Sequence, residues 1–133
     1  MLPAIVPYLT VTDARAALEF YGEALGAETL MILEEEAGVF HARARIAGVI
    51  VMLFEEKTGA DRANRAPDAL GGSPVAIRVE LGSAERVNAV AAQCARAGAD
   101  VLVSPVDRPW GRLAEIRDPQ GHVWRLAASS GQE

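Results

Sequence analysis

Arginine and glutamate residues set among apolar residues are the groups in this 133-residue chain with the clearest capacity for chemistry. Arg43, Arg78 and Arg125 each stand between two apolar residues, and so do Glu80 and Glu115. Guanidinium groups bind carboxylates and other oxyanions through paired hydrogen bonds, so a surface that collects them predicts an anionic or carbonyl-bearing ligand. The same charges could instead pair with one another across neighbouring strands or line a dimer interface, and the sequence leaves these interpretations open.

The two histidines, His41 and His122, could each contribute a ring nitrogen to a metal ion. Such a site would also need carboxylates, such as those of Glu80 or Glu115, to converge from other strands. His122 stands beside a predicted turn and two residues before Trp124, which favours a structural role. For His41, a structural role and a place in the lining of a pocket both remain open.

No nucleophilic site is indicated by the sequence. Cys94 lies on the apolar stripe of a predicted helix, which predicts a buried thiol without reactivity. As the single cysteine, it also excludes a disulfide or a thiolate metal cluster within one chain. The Gly71-Gly72 pair lacks the lysine and the following helix of a phosphate-binding loop. Nucleophilic catalysis and nucleotide binding are therefore not predicted.

The composition limits the partners and the compartment that can be expected. The formal charge is −5, with acidic and basic residues interspersed, so the chain lacks the broad positive field that nucleic-acid binding needs. No apolar run reaches the roughly 18 residues of a membrane span, and the first residues do not have the pattern of a secretion signal. We therefore expect a cytoplasmic protein that binds neither nucleic acid nor a membrane.

Two helices and eight strands are predicted from the spacing of apolar residues. The first helix runs from Asp13, a candidate N-cap, to Gly26, and the second runs from Ser83 to Gly98. The segment from Lys57 to Gly72 has no periodicity and is predicted to be an irregular connection. Alternating or β-branched stretches predict the strands. Their ranges are 5–11, 28–34, 39–46, 49–54, 75–81, 101–103, 112–117 and 122–127.

The element order β-α-β-β-β occurs twice, and the two copies are in register. The stretch from Asp13 to Gly26 corresponds to that from Glu85 to Gly98 at an offset of 72, and Gly48-Val49-Ile50 corresponds to Gly121-His122-Val123 at an offset of 73. A duplicated unit of this kind has an open sheet face that needs a partner. The alternative is an ordinary α+β domain with coincidental spacing. We assign one domain over residues 1–133, with module one at 1–56, a linker at 57–73 and module two at 74–133.

Strand alternation separates residues that cover the helices from residues on the opposite face. The apolar set, which includes Leu9, Leu53 and Leu126, is predicted to face the helices, as are Val49 and Val75. The opposite face mixes aromatic, sulfur-containing and charged side chains, and we predict that it lines a cleft. Its members are Val6, Tyr8, Thr10, His41, Arg43, Arg45, Met52, Phe54, Arg78, Glu80, Glu115, Arg117 and Arg125.

From that face we select eight residues as candidate ligand contacts, together with one loop residue. Trp110 stands in a Pro-Trp-Gly loop, where its ring could close over a planar ligand or pack on the edge of the sheet. No catalytic residue and no metal ligand is assigned. The candidate ligand-binding residues are Tyr8, His41, Arg43, Met52, Phe54, Arg78, Glu80, Trp110 and Arg125.

Short motifs along nearly the whole chain carry a family resemblance. They are Val11-Thr12-Asp13, Leu18-Glu19-Phe20-Tyr21 and Leu25-Gly26-Ala27 in the first half, and Gly71-Gly72-Ser73-Pro74, Ala97-Gly98-Ala99, Pro109-Trp110-Gly111-Arg112 and Asp118-Pro119-Gln120-Gly121-His122-Val123-Trp124 in the second. In combination they resemble the glyoxalase/bleomycin-resistance/dioxygenase (vicinal oxygen chelate) superfamily. The His41-Ala42 pair is similar to its PhnB-like branch.

The resemblance implies an α+β fold of two βαβββ modules whose curled mixed sheets surround a cleft, in a homodimer. Family members that bind a divalent ion take His or Glu ligands from the first and last strands of each module. The corresponding positions here are Val6, Met52, Pro74 and Arg125, and none of them supplies a suitable nitrogen or carboxylate. We therefore expect no metal and no other cofactor.

These observations predict a metal-free protein that binds a small aromatic or anionic molecule, with antibiotic sequestration as one form of that activity. The first alternative is a lyase, isomerase or dioxygenase of the same superfamily. It would use a displaced metal site on His41, or Glu80 or Glu115 as an acid or base. The second alternative is a structural or regulatory dimer without a small ligand, which pairing among the arginines would favour.

Overall fold

Eight strands and three helices are present in a computed structural model of the chain, which describes residues 4–35, 38–56 and 65–130. They follow one another in the order β-α-β-β-β, a short helix, and β-α-β-β-β. The elements are β1 Tyr8–Val11, α1 Ala14–Leu25, β2 Glu28–Glu35, β3 Gly38–Ile46, β4 Val49–Glu55, α2 Pro67–Leu70, β5 Ala76–Glu80, α3 Ala84–Arg96, β6 Asp100–Arg108, β7 Gly111–Arg117 and β8 Val123–Ser129.

The strands form two four-stranded sheets, one in each half of the chain. The strand orders are β1-β4-β3-β2 and β5-β8-β7-β6. In each sheet the first and last strands of the module are parallel neighbours, and the other pairs are antiparallel. The predicted α+β fold of two βαβββ modules is confirmed, with sheets that are curled but not closed.

The internal repeat extends to details of the sheets. An exposed ion pair joins Arg45 to Glu28 in the first sheet, and another joins Arg117 to Asp100 in the second. Both residues of the second pair lie 72 positions after those of the first. A β-bulge also interrupts the outer strands β2 and β6 at matching places. The duplication predicted from the sequence is therefore visible at the level of single contacts.

Both long helices begin at the predicted capping residues. The side chain of Asp13 accepts a hydrogen bond from the backbone N of Ala16, and that of Ser83 accepts one from Arg86. Gly26 ends α1 with a φ of 66°, a left-handed conformation that favours glycine. Within the described ranges, the helices are all too short or too polar to cross a membrane.

The core lies between the helices and the two sheets. Helix α1 packs on β2, β3 and β4, α3 packs on β6, β7 and β8, and the two helices contact each other. Leu9, Val11, Leu53, Trp124 and Leu126 are buried, as strand alternation predicted. Complete burial of a large apolar side chain contributes roughly 1.5–3 kcal/mol, so this layer is the main source of stability.

A buried polar cluster joins the two modules. Asp118, in the turn between β7 and β8, accepts hydrogen bonds from the hydroxyl of Tyr21 at 2.6 Å and from Nε1 of Trp124 at 2.8 Å. It also accepts hydrogen bonds from the backbone N of Gln120 and of His122. Because a buried carboxylate is tolerated only with such donors, this cluster holds α1 and the turn in one arrangement.

The same turn reaches the end of β1. Oε1 of Gln120 accepts hydrogen bonds from the backbone N and the hydroxyl of Thr12. Nε2 of His122 lies 2.8 Å from the backbone O of Thr10, which agrees with the structural role predicted for this histidine. Thr10 was predicted to be on the cleft face, yet it is only 8% exposed. Its register with Phe54 keeps Thr10 on the predicted face, but at this end of β1, where the turn of module two lies, its side chain is not open to a ligand.

Some element ends differ from the sequence prediction. Val75 precedes β5 and is 68% exposed, and Val49 begins β4 and is 48% exposed, although both were predicted to face the helices. At the end of a strand no helix covers the sheet, so alternation alone does not determine burial.

Strand β6 continues beyond residue 103, where the predicted strand ended, and helix α2 lies in the segment that was predicted to be irregular. Residues 57–64 of that segment lie outside the described residues.

Candidate functional site

Three aromatic rings meet on the face of the first sheet that points away from α1. Tyr8 lies on β1, His41 on β3 and Phe54 on β4, and the parallel register places Tyr8 opposite Met52. The ring of Tyr8 is 6.2 Å from that of Phe54 and 6.5 Å from that of His41, with interplanar angles of 27° and 29°. Tyr8 is 48% exposed, so this aromatic face is open to a planar ligand.

Arg43 lies at the edge of the aromatic face, directly beside His41. Its Nε donates a hydrogen bond of 3.3 Å to Nε2 of His41, so the lone pair of that nitrogen is already engaged. Partial burial, followed by the charge of Arg43, lowers the pKa of His41. The imidazole is therefore neutral near pH 7 and adds a flat, uncharged ring to the cluster. Within the described part of the chain, Arg43 forms no ion pair.

Arg78 is the centre of the corresponding face in the second sheet. Its Nε donates to Oε2 of Glu80 at 3.0 Å, and its Nη2 donates to the hydroxyl of Ser129 at 2.9 Å. Its Cζ atom lies 4.7 Å from the centroid of a Trp110 ring, in the range of a cation–π contact. The guanidinium is thus held between a carboxylate and an aromatic ring.

The loop that carries Trp110 is fastened to the end of β8. The backbone O of Trp110 accepts hydrogen bonds from the backbone N of Ser130 at 2.6 Å and from its hydroxyl at 2.9 Å. The sequence left two roles open for Trp110, a cover for a ligand or a structural contact. The structure places its ring against Arg78 at the end of the second sheet.

The carboxylates of the second face are also engaged. The hydrogen bonds that Glu80 accepts from Ser129, and then its contact with Arg78, lower the pKa of Glu80. Oε2 of Glu115 lies 3.9 Å from Nε of Arg125. Arg78 and Glu80 therefore pair within strand β5, and Glu115 and Arg125 approach each other across β7 and β8. Pairing among the charges, one of the interpretations left open by the sequence, accounts for much of this face.

The candidate residues form two groups and not one. Tyr8, His41 and Phe54 come together on the first sheet, with Met52 and Arg43 in adjoining positions. On the second sheet, one cluster unites Arg78, Glu80 and Trp110, and Arg125 stands opposite Arg78 in the strand register. The packing of α1 on α3 joins the modules on the other side of both sheets.

Ser129 is a member of the second group that the sequence did not indicate. The predicted final strand ended at residue 127, whereas β8 continues to Ser129. That extension places the Ser129 hydroxyl and backbone N beside Arg78 and Glu80. A serine near a chain terminus has no periodic signal of its own, and only the pairing of β8 with β7 reveals its place.

The residues at the family's metal positions do not fit a divalent ion. Met52 offers a thioether, which is a poor ligand for hard or borderline divalent ions, and Arg125 brings a positive charge. Val6 and Pro74 offer no side-chain donor at all. Within residues 4–35, 38–56 and 65–130, no group of three His, Cys, Asp or Glu side chains converges as a ligand set.

Sequence comparison places the chain among known relatives. The model of the glyoxalase/bleomycin resistance protein/dioxygenase superfamily matches residues 3–126. An uncharacterized protein of Mycobacterium bovis is 35% identical over 127 residues, and the alignment covers 93% of this chain and 82% of the relative.

Solved structures with the same fold include one from Listeria monocytogenes and one from Bacillus cereus. The fosfomycin resistance protein FosX of Listeria monocytogenes aligns with a TM-score of 0.74 at 17% identity, covering 99% of this chain and 97% of that one. The PhnB protein of Bacillus cereus aligns with a TM-score of 0.73 at 18% identity, covering 94% and 98% of the two chains. At these identities the similarity establishes the shared fold.

Proposed function

The chain belongs to the glyoxalase/bleomycin resistance protein/dioxygenase superfamily, and from this premise we propose that it is a metal-free binding protein for a small aromatic anion. The open aromatic face of Tyr8, His41 and Phe54, with Arg43 at its edge, is the observation that carries the proposal. A planar ligand stacks on these rings, and its acidic group pairs with the guanidinium of Arg43. The ligand is retained and not transformed.

A homodimer completes the site in this proposal. Within one chain the two candidate faces lie on separate sheets, whereas α1 and α3 join the modules. A second copy sets its face around Arg78 and Trp110 against the aromatic face, so that each cleft takes one module from each chain. Two apolar residues at matching places before β1 and β5 support such a contact, since Ile5 is 87% exposed and Val75 is 68% exposed.

Sequestration of a toxic compound is the biological role that we propose. FosX, which shares the fold, is a fosfomycin resistance protein. Here the positions that would hold a divalent ion carry Met52 and Arg125, so the scaffold keeps a binding face without an evident metal ligand set. A protein of this kind confers resistance by lowering the free concentration of the compound.

The enzymatic alternative has less support from the geometry. A general base should have a pKa near the working pH, whereas the hydrogen bonds from Ser129 lower the pKa of Glu80. Glu115 is close to Arg125, and Nε2 of His41 already accepts a hydrogen bond. None of these groups is poised for proton transfer or for metal binding.

Titration calorimetry with phenazine-1-carboxylate, a planar aromatic carboxylate, tests the binding proposal. We expect saturable binding that Tyr8→Ala and Arg43→Gln each weaken about tenfold or more, because each removes about 1.4 kcal/mol or more of contact. Unsubstituted phenazine, which lacks the carboxylate, is the matched control ligand. Arg43→Gln should leave the binding of phenazine unchanged. Arg96→Gln, on the exposed side of α3, is the protein control. Absence of saturable binding to either compound contradicts the proposal.

Elemental analysis separates the binder from a metalloenzyme. Protein purified without an affinity tag should contain far less than one equivalent of zinc, nickel, manganese or iron. Near-stoichiometric metal that survives dialysis would overturn the metal-free assignment, whatever the outcome of the calorimetry.

A further inference from the structure

A cavity lies where the two modules meet, on the helix side of the sheets. It has a volume of about 410 Å³ and is bounded by the end of α1, the β3–β4 turn, the end of β5 and one side of α3. Its apolar lining includes Leu25, Ile46, Val79 and Val90, of which Ile46 and Val79 are buried. The volume lies within the range of sites that hold small molecules. We call this cavity the inter-module groove.

The two ends of the inter-module groove carry opposite charges. Glu23 lies in the last turn of α1, which has no basic side chain, and the helix dipole adds negative potential there. Arg86 lies in the first turn of α3, where the dipole is positive. Both side chains are exposed, and neither forms an ion pair with another residue of the described ranges. Each end therefore has a charge available to a ligand.

The separation of these charges can be read from α3. Arg86 and Gln93 both line the groove, and seven residues of helix span about 10 Å. At the far end, Nε2 of Gln93 donates a hydrogen bond of 2.8 Å to the backbone O of Glu23. The positive and negative ends are thus about two helical turns apart, with an apolar floor between them.

We propose that the inter-module groove binds a short apolar peptide with free termini. The peptide carboxylate pairs with Arg86, its ammonium group pairs with Glu23 and the last carbonyls of α1, and its side chains lie on the apolar floor. An extended tripeptide spans about 10 Å, which matches the distance between the charged ends. A simple anion would use only Arg86 and a simple cation only Glu23, so a dipolar ligand that reaches both ends fits the charges better than either. The groove contains no residue of the aromatic face and does not depend on the function proposed for that face. Glu80 also lines the groove, but its carboxylate accepts hydrogen bonds from Arg78 and from the backbone N of Ser129.

Binding of trialanine to the full-length protein, measured by calorimetry, tests the proposal. We expect saturable binding in the millimolar range or tighter, weakened about tenfold when the peptide carboxylate is converted to an amide. Acetylation of the peptide amine should weaken binding similarly. Equal binding of the capped and uncapped peptides, or no saturable binding in the millimolar range, would overturn the proposal.

Protein variants locate the peptide. Arg86→Gln should weaken trialanine about tenfold but leave the amidated peptide unaffected, because the two changes remove the same contact. Arg108→Gln, an exposed arginine outside the groove, is the matched control. Ala89→Phe should block the groove from the exposed surface of α3 without changing the charge.

Amide chemical shifts measured by NMR locate the bound peptide independently of the variants. Trialanine should perturb residues of the groove such as Val90 and Ile46, and it should leave Tyr8 and Phe54 unchanged. Shifts confined to the aromatic face, or an equal loss of affinity in Arg108→Gln, would show that the peptide does not occupy the groove.

Discussion

The side chain of Asp118 accepts four hydrogen bonds, more than any other side chain named above, and the donors come from both modules. Asp118→Asn replaces one acceptor oxygen with an amide that faces existing donors, so we expect a loss of about 2–3 kcal/mol in the free energy of unfolding. Urea denaturation measures the change. Asp68→Asn, at an exposed aspartate, should stay within about 0.5 kcal/mol of the parent. Equal stability of the two variants would contradict the role assigned to Asp118.

Cys94 gives a pH dependence whose sign follows from its burial. Burial, and then the charge of Asp118, raises the pKa of Cys94 to about 11, whereas an unfolded thiol ionises at about 8.5. The folded state thus favours the protonated thiol. Its contribution to stability is complete below pH 8.5 and is lost as the pH rises toward 11. Urea denaturation between pH 7 and 10 should show a steeper decline for the parent than for Cys94→Ala. Parallel curves would contradict this account.

Single residues of the candidate site were predictable to the extent that alternation determines a face. Tyr8, His41 and Phe54 were placed on one face by parity, and their rings do meet. Parity also placed Arg78 on the same face as Glu80, with which it pairs, but not every partner of the arginines was predictable. Arg78 pairs with Ser129, 51 positions away, through a strand extension that has no sequence signal. Parity gives the side of a sheet, but ion pairing depends on register and on rotamers.

At the scale of elements, the β7–β8 hairpin depends on a close approach at Gly111. A Cβ atom there would lie 2.0 Å from the backbone O of Ala128, and the φ of 148° is in the region that favours glycine. Gly111→Ala should therefore lower the free energy of unfolding by about 2–4 kcal/mol through steric overlap and backbone strain. The adjoining Trp110 should move with the strand end.

Gly22→Ala is the matched control for this prediction. Gly22 lies within α1, and an added Cβ would meet only an ordinary contact at 3.7 Å. The substitution should raise the free energy of unfolding by about 0.5–1 kcal/mol, because alanine favours the helix over glycine. Thermal denaturation of both variants should therefore show shifts of opposite sign. A loss of stability in both, or in neither, would contradict the interpretation of the two glycines.

Elements were predictable where a local signal marks their ends. Asp13 and Ser83 cap the helices because their side chains accept hydrogen bonds from the first turn, and this chemistry is visible in the sequence. The four residues of α2 are too few for a helical period. The strand predicted at 101–103 was too short, because β6 continues through Pro105 along β7. Proline discourages a strand prediction, yet an edge strand tolerates it.

For the whole molecule, the 72-residue repeat predicted the fold but not the way in which the modules meet. Two copies of β-α-β-β-β could associate through their helices or through their opposite sheet faces. The structure joins them through α1, α3 and the Asp118 turn. The choice depends on a buried polar cluster contributed by both halves, and such contacts have no periodic pattern. The faces around Tyr8 and Arg78 are left on the outer sides of their sheets.

Ile5 and Val75, the exposed apolar residues before β1 and β5, lead us to predict a homodimer. If two copies pair at these strands, analytical ultracentrifugation should give twice the chain mass of 14.1 kDa. Ile5→Lys should then shift the population toward the single-chain mass, because a charge at an apolar contact must be desolvated. Leu70→Lys, at a residue that is 65% exposed on α2, should leave the dimer intact. A parent protein with the single-chain mass at micromolar concentration would contradict the dimer. The aromatic face would then bind its ligand without the groups around Arg78, and substitution of Arg78 would have no effect on affinity.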